Sequence, residues 1–193
     1  MGIRPVPLVF VDSNVWYSRT CRDWFGILRT VLDDEPFHIL WSEDVLAELV
    51  YHLRKNHPDW DGRRITDIRD QLARTFELGR VEDYAIDPDY AGSDQHDAHV
   101  HAAALSGRAD YLVTFNSRDF EWVGASNWYE VAHPDAFFQM IDDAYPHHVA
   151  AATEAMTKYW FAKRGDADLP GQLRRADCPG FAERVRRHLQ HLM

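Results

Sequence analysis

Four short strand-like segments, the first an apolar run rich in β-branched residues, recur along this chain, and the apolar residues between them fall at helical spacing. No other feature narrows the possible folds as far. The first run is Val6-Pro7-Leu8-Val9-Phe10-Val11, which reads as a buried strand. The second, Phe37-His38-Ile39-Leu40-Trp41, is introduced by Pro36. Val81 to Ile86 reads as a third, closed by the turn-rich Asp87-Pro88-Asp89, and Tyr111-Leu112-Val113-Thr114-Phe115 as a fourth.

The intervening segments read as helices. From Asn14 to Leu32, Trp24, Phe25, Leu28, Val31 and Leu32 define one apolar stripe. Ser42 is placed to cap a helix whose first turn holds Glu43 and Asp44, where the positive end of the helix dipole favours acids. That helix runs through Val45, Leu46, Leu49, Val50 and Leu53 and is limited by Pro58. A polar helical stretch covers about 61–78. Asp97 to Ser106 is alanine-rich and able to lie close on a sheet, with Gly107 at its end. Val131-Ala132 leads into His133-Pro134, where Pro134 suits a helix start. Strands alternating with helices predict an α/β fold with a mostly parallel sheet and right-handed crossovers. After about Ala144 the strand signals stop, and the remainder reads as helical with breaks at Gly165, Pro170 and Pro179. The expected organisation is one α/β domain over 1–143 and a small helical extension over 144–193.

Composition excludes several classes. With 46% hydrophobic and 13% aromatic residues among 193, the chain is globular and not disordered. No apolar run approaches the roughly 18 residues needed to span a bilayer, so no membrane association is expected. The stretch before Asp12 is too short for a signal peptide. Cys21 and Cys178 are far apart and lack metal-type spacing, which fits two reduced thiols and a cytoplasmic setting. The net charge of −10 argues at first against a nucleic-acid partner. Its distribution tempers that objection: Lys158 to Met193 holds eight Lys and Arg against four Asp and Glu, a net of +4.

In a parallel sheet, residues just past the C-terminal ends of strands converge on one crevice. Asp12 follows the first strand, Asn116 stands two residues beyond Thr114, and Asp119 lies a helical turn further on. Asp97 opens the helix before that strand, and Glu48 sits at the edge of an apolar helical stripe. Each also has a plain structural reading, as a turn residue, a helix cap or a solvated helix position. Taken together, several carboxylates in one crevice repel each other unless a cation neutralises them. Mg²⁺ uses few carboxylates and leaves room for phosphate oxygens, so such a site suits phosphodiester hydrolysis by an activated water.

The segments Val9-Phe10-Val11-Asp12-Ser13-Asn14, the helical Glu48, Asp97-Ala98-His99-Val100-His101-Ala102-Ala103-Ala104 and Ala109 to Phe120 resemble the successive motifs of PIN-domain ribonucleases. The likeness is greatest to the VapC-type toxins of bacterial toxin–antitoxin pairs and covers roughly residues 6 to 140. It implies a PIN fold with a parallel sheet of about five strands, Mg²⁺ or Mn²⁺ as cofactor, and endoribonuclease activity. It carries the catalytic, metal-binding acids onto Asp12, Glu48 and Asp97. At the family's fourth position, often Asp, this chain has Asn116, which brings no charge, so Asp119 is the candidate for the missing carboxylate. Ser13, Asn14 and Thr114 are expected to shape the loops behind these acids. The resemblance further implies an RNA substrate, a cognate antitoxin and a homodimer. The alternative is a weak or inactive PIN scaffold that binds RNA or a protein partner.

Eleven histidines raise the question of zinc, but His99 and His101 do not share a helical face, His147 and His148 are adjacent, and no HExxH occurs. No zinc site is expected. Trp122, Trp128 and Trp160 are candidates for base stacking, though core packing is the simpler reading. An aspartyl-phosphate phosphatase also places Asp after its first strand. It requires a second Asp two residues on, where this chain has Asn14.

Overall fold

The computed structural model describes residues 6–123 and 129–192. In chain order the elements are β1 (Leu8–Val11), α1 (Ser13–Tyr17), α2 (Arg19–Thr30), β2 (His38–Leu40), α3 (Glu43–Asn56), α4 (Gly62–Thr75), α5 (Ala98–Ser106) and β3 (Tyr111–Val113). They continue with β4 (Glu130–Ala132), α6 (Pro134–Ala144), α7 (Pro146–Arg164), α8 (Leu169–Arg175) and α9 (Pro179–His191). Trp128 lies outside the described residues. The described parts of Met1–Tyr17 and Phe37–Ala132 form one compact unit, and those of Ser18–Pro36 and His133–Met193 form a second. Compactness thus groups Ser18–Pro36 and all of α6 with the C-terminal helices, whereas the sequence pattern placed a boundary at 143.

The first unit is α/β. Its strands form one parallel sheet in the order β2-β1-β3-β4. β1 pairs Leu8 with His38 through Phe10 with Leu40 on one side, and Val9 with Tyr111 through Val11 with Val113 on the other. β3 pairs Tyr111 with Glu130 through Val113 with Ala132. Val9, Phe10, Val11, Leu112 and Val113 are fully buried, as expected of a parallel sheet covered on both faces. The chain crosses from β1 to β2 on one side and returns to β3 on the other. The carboxyl ends of β1 and β3 therefore flank a switch point, where open parallel sheets form their ligand crevice.

The parallel sheet flanked by helices is the one expected, with four strands among the described residues. Two expectations are corrected here. Val81 to Ile86 is not a strand: a single parallel bridge joins Trp41 to Arg80, and Val81 N donates to the Trp41 carbonyl at 2.8 Å. Beyond it Glu82, Asp83, Ala85 and Ile86 are exposed, so no buried face holds a register. The helix read as continuous over 14–32 breaks at Ser18, whose extended backbone (φ −68°, ψ 111°) and hydroxyl, accepting from Cys21 N, restart it as α2.

The second unit is helical. Its core joins Trp24 to Phe181 edge-on, with centroids 4.8 Å apart, and stacks Phe138 on Phe181 at 5.0 Å. Arg184 of α9 bonds Asp142 and Asp143, and His188 approaches Asp142 at 2.6 Å. Gly165 ends α7 in the left-handed conformation, φ 72°, that favours glycine. Pro170, expected as a break, instead lies in the first turn of α8, where its missing N–H costs nothing. Among the described residues no helix is long and apolar enough to cross a membrane.

Candidate active site

Asp12 is the residue immediately after β1, and its backbone still belongs to the sheet: its N–H donates to the Val113 carbonyl at 3.0 Å. Its own carbonyl accepts from Val15 N and Trp16 N, which turns the chain into α1. This tight strand-to-helix turn leaves the side chain 3% exposed at the crevice. One carboxylate oxygen, Oδ2, accepts hydrogen bonds from Thr114 Oγ1 at 2.7 Å and Asn14 Nδ2 at 2.8 Å. Burial raises the Asp12 pKa above its ordinary value, opposed by the Thr114 hydrogen bond and reinforced by the charge of Glu48.

Asn14 and Thr114 form the frame behind this carboxylate. Asn14 Nδ2 also donates to Thr114 Oγ1, and its Oδ1 accepts from Phe115 N at 3.1 Å. Asn116 N donates to Thr114 Oγ1 at 3.0 Å. The ends of β1 and β3 are thus locked together by three side chains whose polar groups satisfy each other.

Glu48 projects from α3, half-exposed. Its carboxylate lies 3.5 Å from His99 Nε2 and 3.4 Å from His52 Nε2, one turn further along α3. The His99 hydrogen bond, opposed by partial burial and helped by the Ser13 hydroxyl, holds Glu48 below its usual pKa. Ser13 also reaches Asp12. Burial pulls the His99 imidazole down, but the hydrogen bond and charge of Glu48 outweigh it, so His99 is the more readily protonated.

Asp97 stands at the N-cap of α5 yet makes no capping hydrogen bond. Its Oδ2 is buried without a partner among the described residues. Burial, and then the charges of Asp12, Asp94, Asp119 and Glu48, push its pKa up to about 7. A half-buried carboxylate facing four others is an arrangement that a divalent cation would neutralise. Asp119 lies in the 3₁₀ segment Ser117–Val123 and accepts from Ser93 Oγ at 3.5 Å.

The crevice therefore brings Asp12, Glu48, Asp97 and Asp119 into one electrostatic group, with Ser13, Asn14 and Thr114 behind it. Asn116 is tied in through its backbone, and its side chain is exposed. Sequence reasoning missed Asp94, which caps the Gln95–Asp97 turn through His96 N while adding to the field on Asp97. It also missed the pairing of His52 and His99 with Glu48. The four-residue spacing of Glu48 and His52 on one helix was the available signal; nothing local announces His99. The donor set fits a hard divalent cation: carboxylate oxygens, one of them unpartnered, at the open end of a sheet.

No curated protein and no solved structure matches the chain. The family model of the PIN domain matches residues 8–118, more than half of the chain, from the first residue of β1 into the turn that carries Asp119. On the strength of that match, the chain belongs to the PIN domain family.

Proposed function

We propose that this protein is a divalent-metal-dependent endoribonuclease and that Asp12, Glu48, Asp97 and Asp119 hold its cation. PIN domains are generally metal-dependent nucleases, and the coarse assignment follows from family membership. The observation that carries the finer reading is Asp97, a carboxylate at a helix cap that makes no capping bond and keeps one oxygen buried among like charges. A cation such as Mg²⁺ or Mn²⁺, when bound, would offset that repulsion, acidify a water and shield the phosphate.

The chain's own residues then have defined tasks. Asp12 is held in one orientation at the carboxyl end of β1 by Thr114 and Asn14, with Ser13 as a further donor. Glu48, kept ionised by His99, supplies a permanent charge. Asp119 takes the fourth position in place of Asn116, whose amide remains exposed. Likeness to VapC-type toxins supports the further proposal of a toxin with a cognate antitoxin, acting in the cytoplasm as a homodimer on RNA. Residues 144–193 would then be an extension beyond the nuclease domain.

Two experiments test this. Purified protein should cleave RNA in Mg²⁺ or Mn²⁺ and stop in EDTA; cleavage that persists in EDTA would sink the metal mechanism. Expression in bacteria should arrest growth, and Asp12→Ala should relieve the arrest. Wild type without any effect on growth would remove the toxin role and leave the nuclease reading to the first assay.

A further inference from the structure

We infer that Asp34, His147 and His148 form a second metal site, one for a divalent transition-metal ion of the zinc class. All three belong to the helical unit. Asp34 lies in the segment after α2, and the histidines form the first turn of α7 directly after Pro146. One carboxylate oxygen and one ring nitrogen from each histidine lie within 4.8 Å of one another. Ligands about 2.0–2.2 Å from a common tetrahedral ion stand about 3.3–3.6 Å apart. Closing the set around zinc therefore requires movements of up to about an ångström, within reach of two exposed side chains.

The second observation is His148 itself. Its side chain is fully buried, with Nε2 2.7 Å from the Asp34 carbonyl oxygen and 3.3 Å from Asp34 Oδ1. A carbonyl only accepts, so a neutral ring in this arrangement carries its proton on Nε2, the nitrogen that faces Asp34. Nδ1 is buried with no partner among the described residues. An ion bound beside Asp34 would take Nε2 in place of that proton, which the unpartnered Nδ1 is free to carry. The His147 ring lies 4.5 Å away, and both it and the Asp34 carboxylate are exposed, which gives an ion a route in and leaves positions for water.

The donor set decides the class of ion. Two imidazoles and one carboxylate suit zinc, nickel or copper, whereas Mg²⁺ prefers oxygen alone. The two sites of the molecule are thus sorted by ligand chemistry. A plainer account makes Asp34 an anion at the positive end of α7, held by His148. That account gives His147 no role and predicts no zinc binding.

The test uses the full chain carrying Asp97→Asn, which weakens the acidic cluster as a competing site. Zinc is titrated in competition with a chromophoric chelator, and folding is checked by circular dichroism. One equivalent should bind here, and His147→Ala or Asp34→Asn should each weaken it by more than about tenfold. Both changes fall on exposed side chains, so the core is untouched. Zinc should also raise the unfolding temperature of the Asp97→Asn parent but not of the two variants. Absence of a saturable zinc equivalent in the parent, or unaltered affinity in either variant, would overturn the proposal. RNA cleavage in Mg²⁺ by the otherwise wild-type His147→Ala protein should be unchanged, so failure here and failure of the nuclease reading register in different assays.

Discussion

The Thr114 hydroxyl donates a 2.7 Å hydrogen bond to the buried carboxylate of Asp12 and joins residues 102 positions apart. The same oxygen accepts from Asn14 Nδ2 and Asn116 N, so one hydroxyl fixes the geometry at the ends of both central strands. Thr114→Val keeps the shape, removes that oxygen and leaves a charged acceptor and two donors short of a partner. It should destabilise the fold by about 1–3 kcal/mol, read from urea unfolding, and reduce cleavage. Thr114→Ser should restore most of both. A Val variant as stable and active as wild type would remove Thr114 from the frame.

Asp97 sets a pH dependence of definite sign. Its folded pKa, about 7, lies above the ordinary 3.8, so between these values the folded protein binds more protons than the unfolded chain. Stability contributed by this residue must then fall as pH rises from about 4 to 7. Glu48 is shifted the other way, so the comparison is wild type against Asp97→Asn in metal-free buffer. The stability gap in favour of the variant should widen over that interval, and Mg²⁺ or Mn²⁺ should narrow it for wild type. A gap independent of pH would contradict the assignment.

The fourth position is decided by two single changes. Asp119→Asn should lower the rate of RNA cleavage by at least about tenfold and weaken the response to Mg²⁺, as loss of groups around a metal does. Asn116→Ala should cost less, because its side chain is exposed and its backbone bond to Thr114 survives. The opposite ranking would return the position to Asn116.

In the helical unit, Phe181 is fully buried between Trp24 and Phe138. Phe181→Ala should cost about 3–5 kcal/mol, measured by denaturant unfolding. A loss below 1 kcal/mol would mean that these helices are not packed around it.

Much of this organisation was legible along the chain. The β1 and β3 runs are continuously apolar because both faces of a parallel sheet are covered, and Ser42 and Pro134 mark helix starts by chemistry that acts within one turn. What escaped was non-local. Val81 to Ile86 has strand-forming residues, but a strand exists only where a partner continues the ladder, and Trp41 offers one bridge. Glu130–Ala132 is three residues long, too short for any period, and is a strand because β3 lies beside it. The same limit applies to His99, whose partner Glu48 is on another helix, and to Asp34, over a hundred residues from His148.

Asp97 occupies the position from which an aspartate ordinarily caps a helix, and its carboxylate is turned elsewhere. A cap of that kind is worth about 0.5–2 kcal/mol. Serine or asparagine at 97 would be free to take up the cap and would shed a half-buried charge at the same time. Selection for thermal tolerance alone should therefore drift this position away from aspartate. Retention of the acid in a population under such selection would be a record of continued use.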